Sequence, residues 1–244
     1  MEKEKIYVAT IAADAEEVIK KYGFGKEEDM FIYPQNLDKK TLPEIKMPEK
    51  RFLHGPFNEV YPAAIDPAAR KLSMARISRG YEIACNYGIE DMVLHSGYVP
   101  LVYFKEWHLK ESVSFWKEFI KDKEDITVYI ENVMDDEPYM MLELAEKIAD
   151  KRIKLCLDIG HVNCVSSIPC EEWIKVLAPF LGHLHLHSNN GNKDEHLPLG
   201  KGTLNAEKAI EATEKYCRKD TTYTIESTRA EASILWLKER GFLK

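Results

Sequence analysis

The chain has 244 residues, 45% of them hydrophobic and 31% charged, enough for one large α/β unit that buries roughly 70–75% of its unfolded surface. A formal net charge of −7 repels the phosphate backbone at long range, which lowers the expectation of a nucleic-acid partner. Five cysteines without a CxxC pair, no signal-peptide apolar core and no run near ~20 apolar residues argue against a disulfide framework, secretion and a membrane span, and so for a cytoplasmic protein.

IYVATIA (6–12) reads as the first strand, and DAEEVIKKYG (14–23) as a helix capped by Asp14 and ended by Gly23. DMFIY (29–33) is the expected second strand. Segment 34–50, with three prolines and dense charge, reads as a loop where a second helix belongs. Strand RFLHGP (51–56) precedes a helix at 69–88, DMVLHSG (91–97) a helix at 107–122, and ITVYIEN (126–132) a helix at 137–151. IKLCLDIGH (153–161), in which Cys156 reads as a small buried hydrophobe, leads to a helix at 170–180. GHLHLHS (182–188) leads to 206–219, and TYTIES (222–227) to 230–241. Eight strand–helix units, one shortened over 34–50, predict a single (β/α)8 TIM barrel in which residues 1–244 form one domain. A doubly wound sheet would be expected to carry GxGxxG or GxxxxGK after its first strand, and neither occurs.

Metal-capable side chains recur where the strands end. His54 and His95 end the third and fourth strands, Glu131 the fifth, and Asp158 the sixth, with His161 one turn on. His185 lies in the seventh strand, Asp194 and His196 in the loop after it, and Glu226 closes the eighth. In a barrel all nine converge on the face that carries barrel chemistry. Each alone could pack or cap a helix, as His108 in the helix after the fourth strand is read to do. Together, converging carboxylates need cations or protons to offset repulsion and lost hydration, which points to a divalent metal.

Within HLHLH, alternate residues share a face, so His183, His185 and His187 point into a barrel. His183 lies deepest and reads as a core or supporting group, His185 as the ligand, and His187 as a rim group for substrate or for another ligand. Asp194 and His196, two apart in an extended loop, can clamp one ion.

These residues resemble the xylose-isomerase-like TIM-barrel superfamily, which includes sugar isomerases and epimerases and endonucleases of the abasic-site type. The landmarks are LHGP, LHSG, IEN, LDIGH, HLH with KDEHLPLGKG, and IES. The resemblance to the isomerases implies one divalent ion on Glu131, Asp158, His185 and Glu226, with His161 contacting substrate or a further metal. The resemblance to the endonucleases implies three zinc ions: one on His54, His95 and Glu131, one on the same central four, and one on His161, Asp194 and His196. The chain departs from the isomerases at Ser188, where they commonly carry Asp; Asn189 could supply part of that polarity but not its charge. Lys39, Lys40, Lys46 and Lys50 offer little towards a phosphate groove.

Two chemistries follow. The first is a metal-dependent isomerase or epimerase of a sugar or sugar phosphate, with Glu131 and Glu226 transferring protons and His161 orienting a substrate oxygen. Phe57, Tyr98 and Trp107 could face the sugar or pack. The alternative is a multinuclear zinc phosphoesterase. The expected cofactor is one or more divalent ions, zinc favoured by imidazoles and manganese acceptable to carboxylates. Neither the substrate nor the oligomeric state is written in the sequence.

Overall fold

A computed structural model of the protein describes residues 1–39 and 47–243. Its strands are β1 (Ile6–Ala9), β2 (Gly25–Glu28), β3 (Arg51–His54), β4 (Asp91–His95), β5 (Thr127–Glu131), β6 (Ile153–Asp158), β7 (Leu181–Leu186) and β8 (Thr222–Ile225). They pair in parallel and in chain order, and β8 returns to β1 to close the barrel. Around it lie α1 (Ala15–Tyr22), α2 (Pro67–Asn86), α3 (Lys105–Ile120), α4 (Tyr139–Ile148), α5 (Ile159–Val165), α6 (Cys170–Leu177), α7 (Ala206–Tyr216) and α8 (Ala230–Glu239). The fold is a (β/α)8 TIM barrel. After β2, the described residues form 3-10 turns at Met30–Ile32 and Pro34–Asp38 in place of an α-helix.

Period-two alternation makes two cores. Outward residues such as Val8, Leu94, Ile130, Leu157 and Leu186 are buried beneath the helices, together with Ile77 of α2, Trp116 and Phe119 of α3 and Trp173 of α6. Inward residues stack in layers drawn from alternate strands, as a closed barrel of this tilt requires. The lowest layer is Tyr7, Phe52, Tyr129 and His183, with the Phe52 and His183 rings stacked at 4.4 Å. The parallel register then sets Glu27, Val93, Cys156 and Thr224 above it, followed by His54, Glu131 and His185. At the C-terminal mouth stand Asp29, His95, Asp158 and Glu226.

Three expectations need correction. The second strand is Gly25–Glu28, not 29–33; Met30 and Phe31 of DMFIY pack instead in a 3-10 turn. GKEE has no apolar residue to betray a strand. It is tolerated because its outward charges are paired: Lys26, although buried, meets Glu16 of α1 at 2.6 Å and Glu28 at 3.2 Å. Asp14 does not cap its own helix with its side chain; it accepts from the Ala230 and Glu231 amides and so caps α8. Residues 159–161, read as the end of the sixth strand, open α5 instead, because Asp158 Oδ1 accepts the His161 amide at 2.6 Å and starts a helix there. Lys40 and Lys46 lie outside the described residues. All five cysteines are free, and Cys156 is buried inside the barrel. No described helix is long and apolar enough to cross a membrane.

Candidate metal centre

The strand ends bring the nine expected residues to one mouth, with Asp194 and His196 supplied by the loop after β7. At its centre His185 Nδ1 lies 2.8 Å from Glu226 Oε2, 3.2 Å from Glu131 Oε1 and 3.8 Å from Asp158 Oδ2. One donor atom from each of these four buried residues lies within 4.8 Å of all the others. Glu131 Oε2 and Glu226 Oε2 are buried without a hydrogen-bond partner among the described residues. Three carboxylates and one imidazole with unsatisfied oxygens are a donor set that fits a divalent cation.

Glu131 spreads its two oxygens in different directions. Oε1 faces His185 and His161, the latter at 3.4 Å, whereas Oε2 faces His54 Nε2 at 3.3 Å and His95 Nε2 at 3.4 Å. His54, Glu131 and His185 form a second tight group; His95 stands beside Glu131 but belongs to no such group. A third group contains His161, His187, Asp194 and His196. Here Asp194 Oδ2 lies 3.3 Å from His161 Nε2 and 3.0 Å from His196 Nε2, and the His187 and His196 rings stack at 4.0 Å.

Backbone carbonyls set the direction of three rings. His54, His161 and His196 each direct Nδ1 at a carbonyl, of Gly55 at 3.1 Å, Asn132 at 2.8 Å and Glu226 at 2.7 Å. A carbonyl can only accept, so Nδ1 carries the proton and Nε2 is left to face the carboxylates. His196 does this from a left-handed backbone, φ 47°.

The titration pattern is that of a charge-dense pocket. Burial disfavours ionised Glu131, yet His185, His95 and His54 hold its carboxyl well below the usual range. Burial also disfavours a charged His185, but Cys156, Glu226, Glu27 and Glu131 around it hold its pKa well above the ordinary value. His95 is pushed down to about 3, chiefly by burial, and is a neutral donor at pH 7. His196 rises to about 9 against the pull of burial because Asp194 bonds it. Asp29, raised by burial to about 7, accepts from the Thr10 amide at 2.8 Å.

Sequence reasoning missed Glu27 and Asp29, both in the charged run hidden by the misplaced second strand. A usable signal existed: the helix ends at Gly23, and short connections in such folds would start a strand near residue 25. His187 was legible as sharing the face of His185, and the structure sets it in the third group, with Nε2 2.9 Å from Asp158 Oδ2. Of the three aromatics considered for a sugar, Phe57 stacks on His95 at 4.9 Å. Trp107 donates to the Ala63 carbonyl, and Tyr98 is buried against His108. His108 itself is buried beside Ser112, away from the mouth. Ser188 and Asn189 tie down the loop: the Ser188 hydroxyl donates to Lys201 O and the Asn189 amide to Gly160 O.

Fold and mouth together define a TIM barrel whose C-terminal face bears His/Glu/Asp clusters suited to divalent metal. The model of the xylose isomerase-like TIM barrel family matches residues 38–240, and the chain belongs to that family. An uncharacterized protein of Methanocaldococcus jannaschii, MJ1311, is 31% identical over 171 residues, which is 65% of this chain; the match spans only 58% of that relative's length. Among solved structures, a Thermus thermophilus protein, TTHB071, soaked with ZnCl2, superposes with a TM-score of 0.78 at 24% identity over 97% of this chain and 98% of its own. A D-tagatose 3-epimerase-like protein superposes with a TM-score of 0.74 at 25% identity over 96% of each chain.

Proposed function

We propose that the chain is a divalent-metal-dependent isomerase or epimerase of a sugar or sugar phosphate, residues 1–244 acting as one catalytic domain. One observation carries the reading. Glu131 from β5 and Glu226 after β8 flank the same imidazole nitrogen of His185 and each keeps a buried oxygen without a hydrogen-bond partner. A divalent ion on Glu131, Asp158, His185 and Glu226 would supply positive charge beside the carbonyl and hydroxyl oxygens of an α-hydroxycarbonyl substrate.

The chain's own groups then move the proton. One glutamate, as carboxylate, takes a proton from the carbon next to the carbonyl, and the electron pair moves into the carbonyl oxygen to give an enediolate. The other glutamate, protonated, returns a proton to the opposite face of that carbon for epimerisation, or to the neighbouring carbon for isomerisation, in which case the hydroxyl proton passes to the former carbonyl oxygen as the new carbonyl forms. His161, its ring fixed by the Asn132 carbonyl, orients a substrate oxygen. The epimerase-like relative at 25% identity and the fold support the substrate class. The test is incorporation of solvent deuterium at substrate carbon across a panel of ketoses and their phosphates, with Glu131→Gln and Glu226→Gln each expected to abolish it. Turnover that survives either substitution would refute the assignment.

A second reading, metal-dependent phosphoester hydrolysis, is favoured by the divided Glu131 carboxylate and by the separate His161–His187–Asp194–His196 group. Both suit more than one ion. Anomalous scattering across the zinc and manganese edges counts the ions. Three full zinc sites with cleavage of abasic DNA or a small phosphoester would displace the isomerase reading.

A further inference from the structure

Beneath the metal centre the barrel holds a carboxylate with no place in the chemistry above. Glu27 is fully buried in the inward layer below His185. It comes from β2, the one strand with no apolar residue. Its Oε1 lies 3.0 Å from His185 Nε2, the ring nitrogen opposite the one that faces Glu131, Asp158 and Glu226. Its Oε2 accepts the Thr224 hydroxyl at 2.5 Å and lies 3.3 Å from His183 Nε2.

Glu27 faces three groups able to donate to it: the Thr224 hydroxyl, which donates to Oε2, and the Nε2 atoms of His183 and His185. A carboxylate can only accept. The single Thr224 proton points at Glu27, so His183 must donate from Nε2 to Thr224 Oγ1, 2.9 Å away. His183 Nδ1 lies 2.6 Å from Thr222 Oγ1, whose hydroxyl also reaches the Gly182 carbonyl at 3.3 Å. His185 Nε2 also faces this carboxylate, at 3.0 Å, which favours a proton over a lone pair on Nε2. In that tautomer the lone pair of His185 is on Nδ1, the atom that faces the three carboxylates and lies 3.2 Å from Glu131 Oε1.

We infer that Glu27 is a positioning residue that fixes His185 in its Nε2-protonated form and so presents Nδ1 to the metal. This rests on the metal reading of the central four residues. The 3.0 Å separation is an ion-pair contact angled off the N–H direction, since neither atom has a hydrogen-bond partner. Glu27 cannot reach the same ion, because the imidazole ring stands between. A carboxylate behind a ligand histidine raises its basicity and holds its orientation, and losing one typically weakens metal binding about 10–100-fold.

The experiment is zinc affinity by chelator competition, read with stoichiometry, on the full chain and on Glu27→Gln and Glu27→Asp. Glu27→Gln should weaken the tightest site by about 10–100-fold with ion count unchanged, and Glu27→Asp should fall between it and the parent. Unchanged affinity in a folded Glu27→Gln protein would overturn the inference, as would loss of one whole ion, which would make Glu27 a ligand. Long-range 1H–15N spectra of the zinc-loaded parent need no variant: His185 should show protonated Nε2 and metal-shifted Nδ1, and the reverse would overturn the inference even if Glu27→Gln fails to fold. A parent chain that binds no stoichiometric metal would instead remove the metal reading, and this inference with it.

Discussion

Gly160, the glycine of LDIGH, is the position at which backbone and metal centre are most tightly coupled. A Cβ there would sit 2.0 Å from His187 Cε1 and 2.5 Å from both ring nitrogens. The ring has nowhere to go: it is fully buried and stacked on His196 at 4.0 Å. Gly160→Ala must therefore displace His187 and break its 2.9 Å contact with Asp158. Overpacking of this kind costs about 1–3 kcal/mol, and losing a hydrogen bond to a charged group roughly 1.5–3 kcal/mol more. Against this, alanine favours helix over glycine by about 1 kcal/mol, and residue 160 lies in α5. The strain wins, for a net loss of roughly 1.5–5 kcal/mol. Urea unfolding measures it, and the double variant Gly160→Ala/His187→Ala isolates the cause, because without the ring the alanine should be nearly neutral. A single variant within about 0.5 kcal/mol of the parent, or a double variant with strictly additive losses, would refute the argument.

Asp14→Ala should lower stability by about 0.5–2 kcal/mol by uncapping α8, and amide exchange should rise at Ala230 and Glu231, not at the start of α1. Asp135, buried and raised by that burial to about 6, keeps its proton between pH 4 and 6 while the unfolded chain loses it. Stability therefore falls as pH rises through that window, by roughly 3 kcal/mol in total, and Asp135→Asn should abolish this fall; parallel pH profiles of the urea midpoint would contradict it. Metal removal by a chelator should lower Tm by roughly 5–10 °C if free ion stands near a hundred times its dissociation constant, since that linkage contributes about 2.7 kcal/mol. Calorimetry with and without zinc checks it, and an unchanged Tm would exclude a tightly held ion.

How much of this was legible depended on whether chemistry and hydrophobic pattern agreed. Seven strands announce themselves because their outward residues must be apolar to meet helices, as Leu155, Leu157, Leu184 and Leu186 do. Their inward residues could then be counted off by alternation, which is how His54, His95, Glu131, Asp158 and His185 could be assigned to the mouth from sequence. Asp194 and His196 were harder, because a loop has no period; only their spacing of two and the neighbouring glycines marked them.

The eighth strand hid for a physical reason. On the outer face of β2 the paired charges Lys26 and Glu28 stand in place of the usual aliphatics, and its inner residue is the carboxylate behind His185. A strand that is charged on both faces carries no hydrophobic periodicity, and reasoning from periodicity slid to the nearest apolar run, Met30–Ile32. The same substitution that erased the pattern supplied the site: with an aliphatic residue at 27, the buried Thr224 hydroxyl would lose its acceptor and His185 the opposing charge beside Nε2. The charge at β2 is thus tied to the metal centre through His185. The misplaced strand and the overlooked carboxylate have one cause.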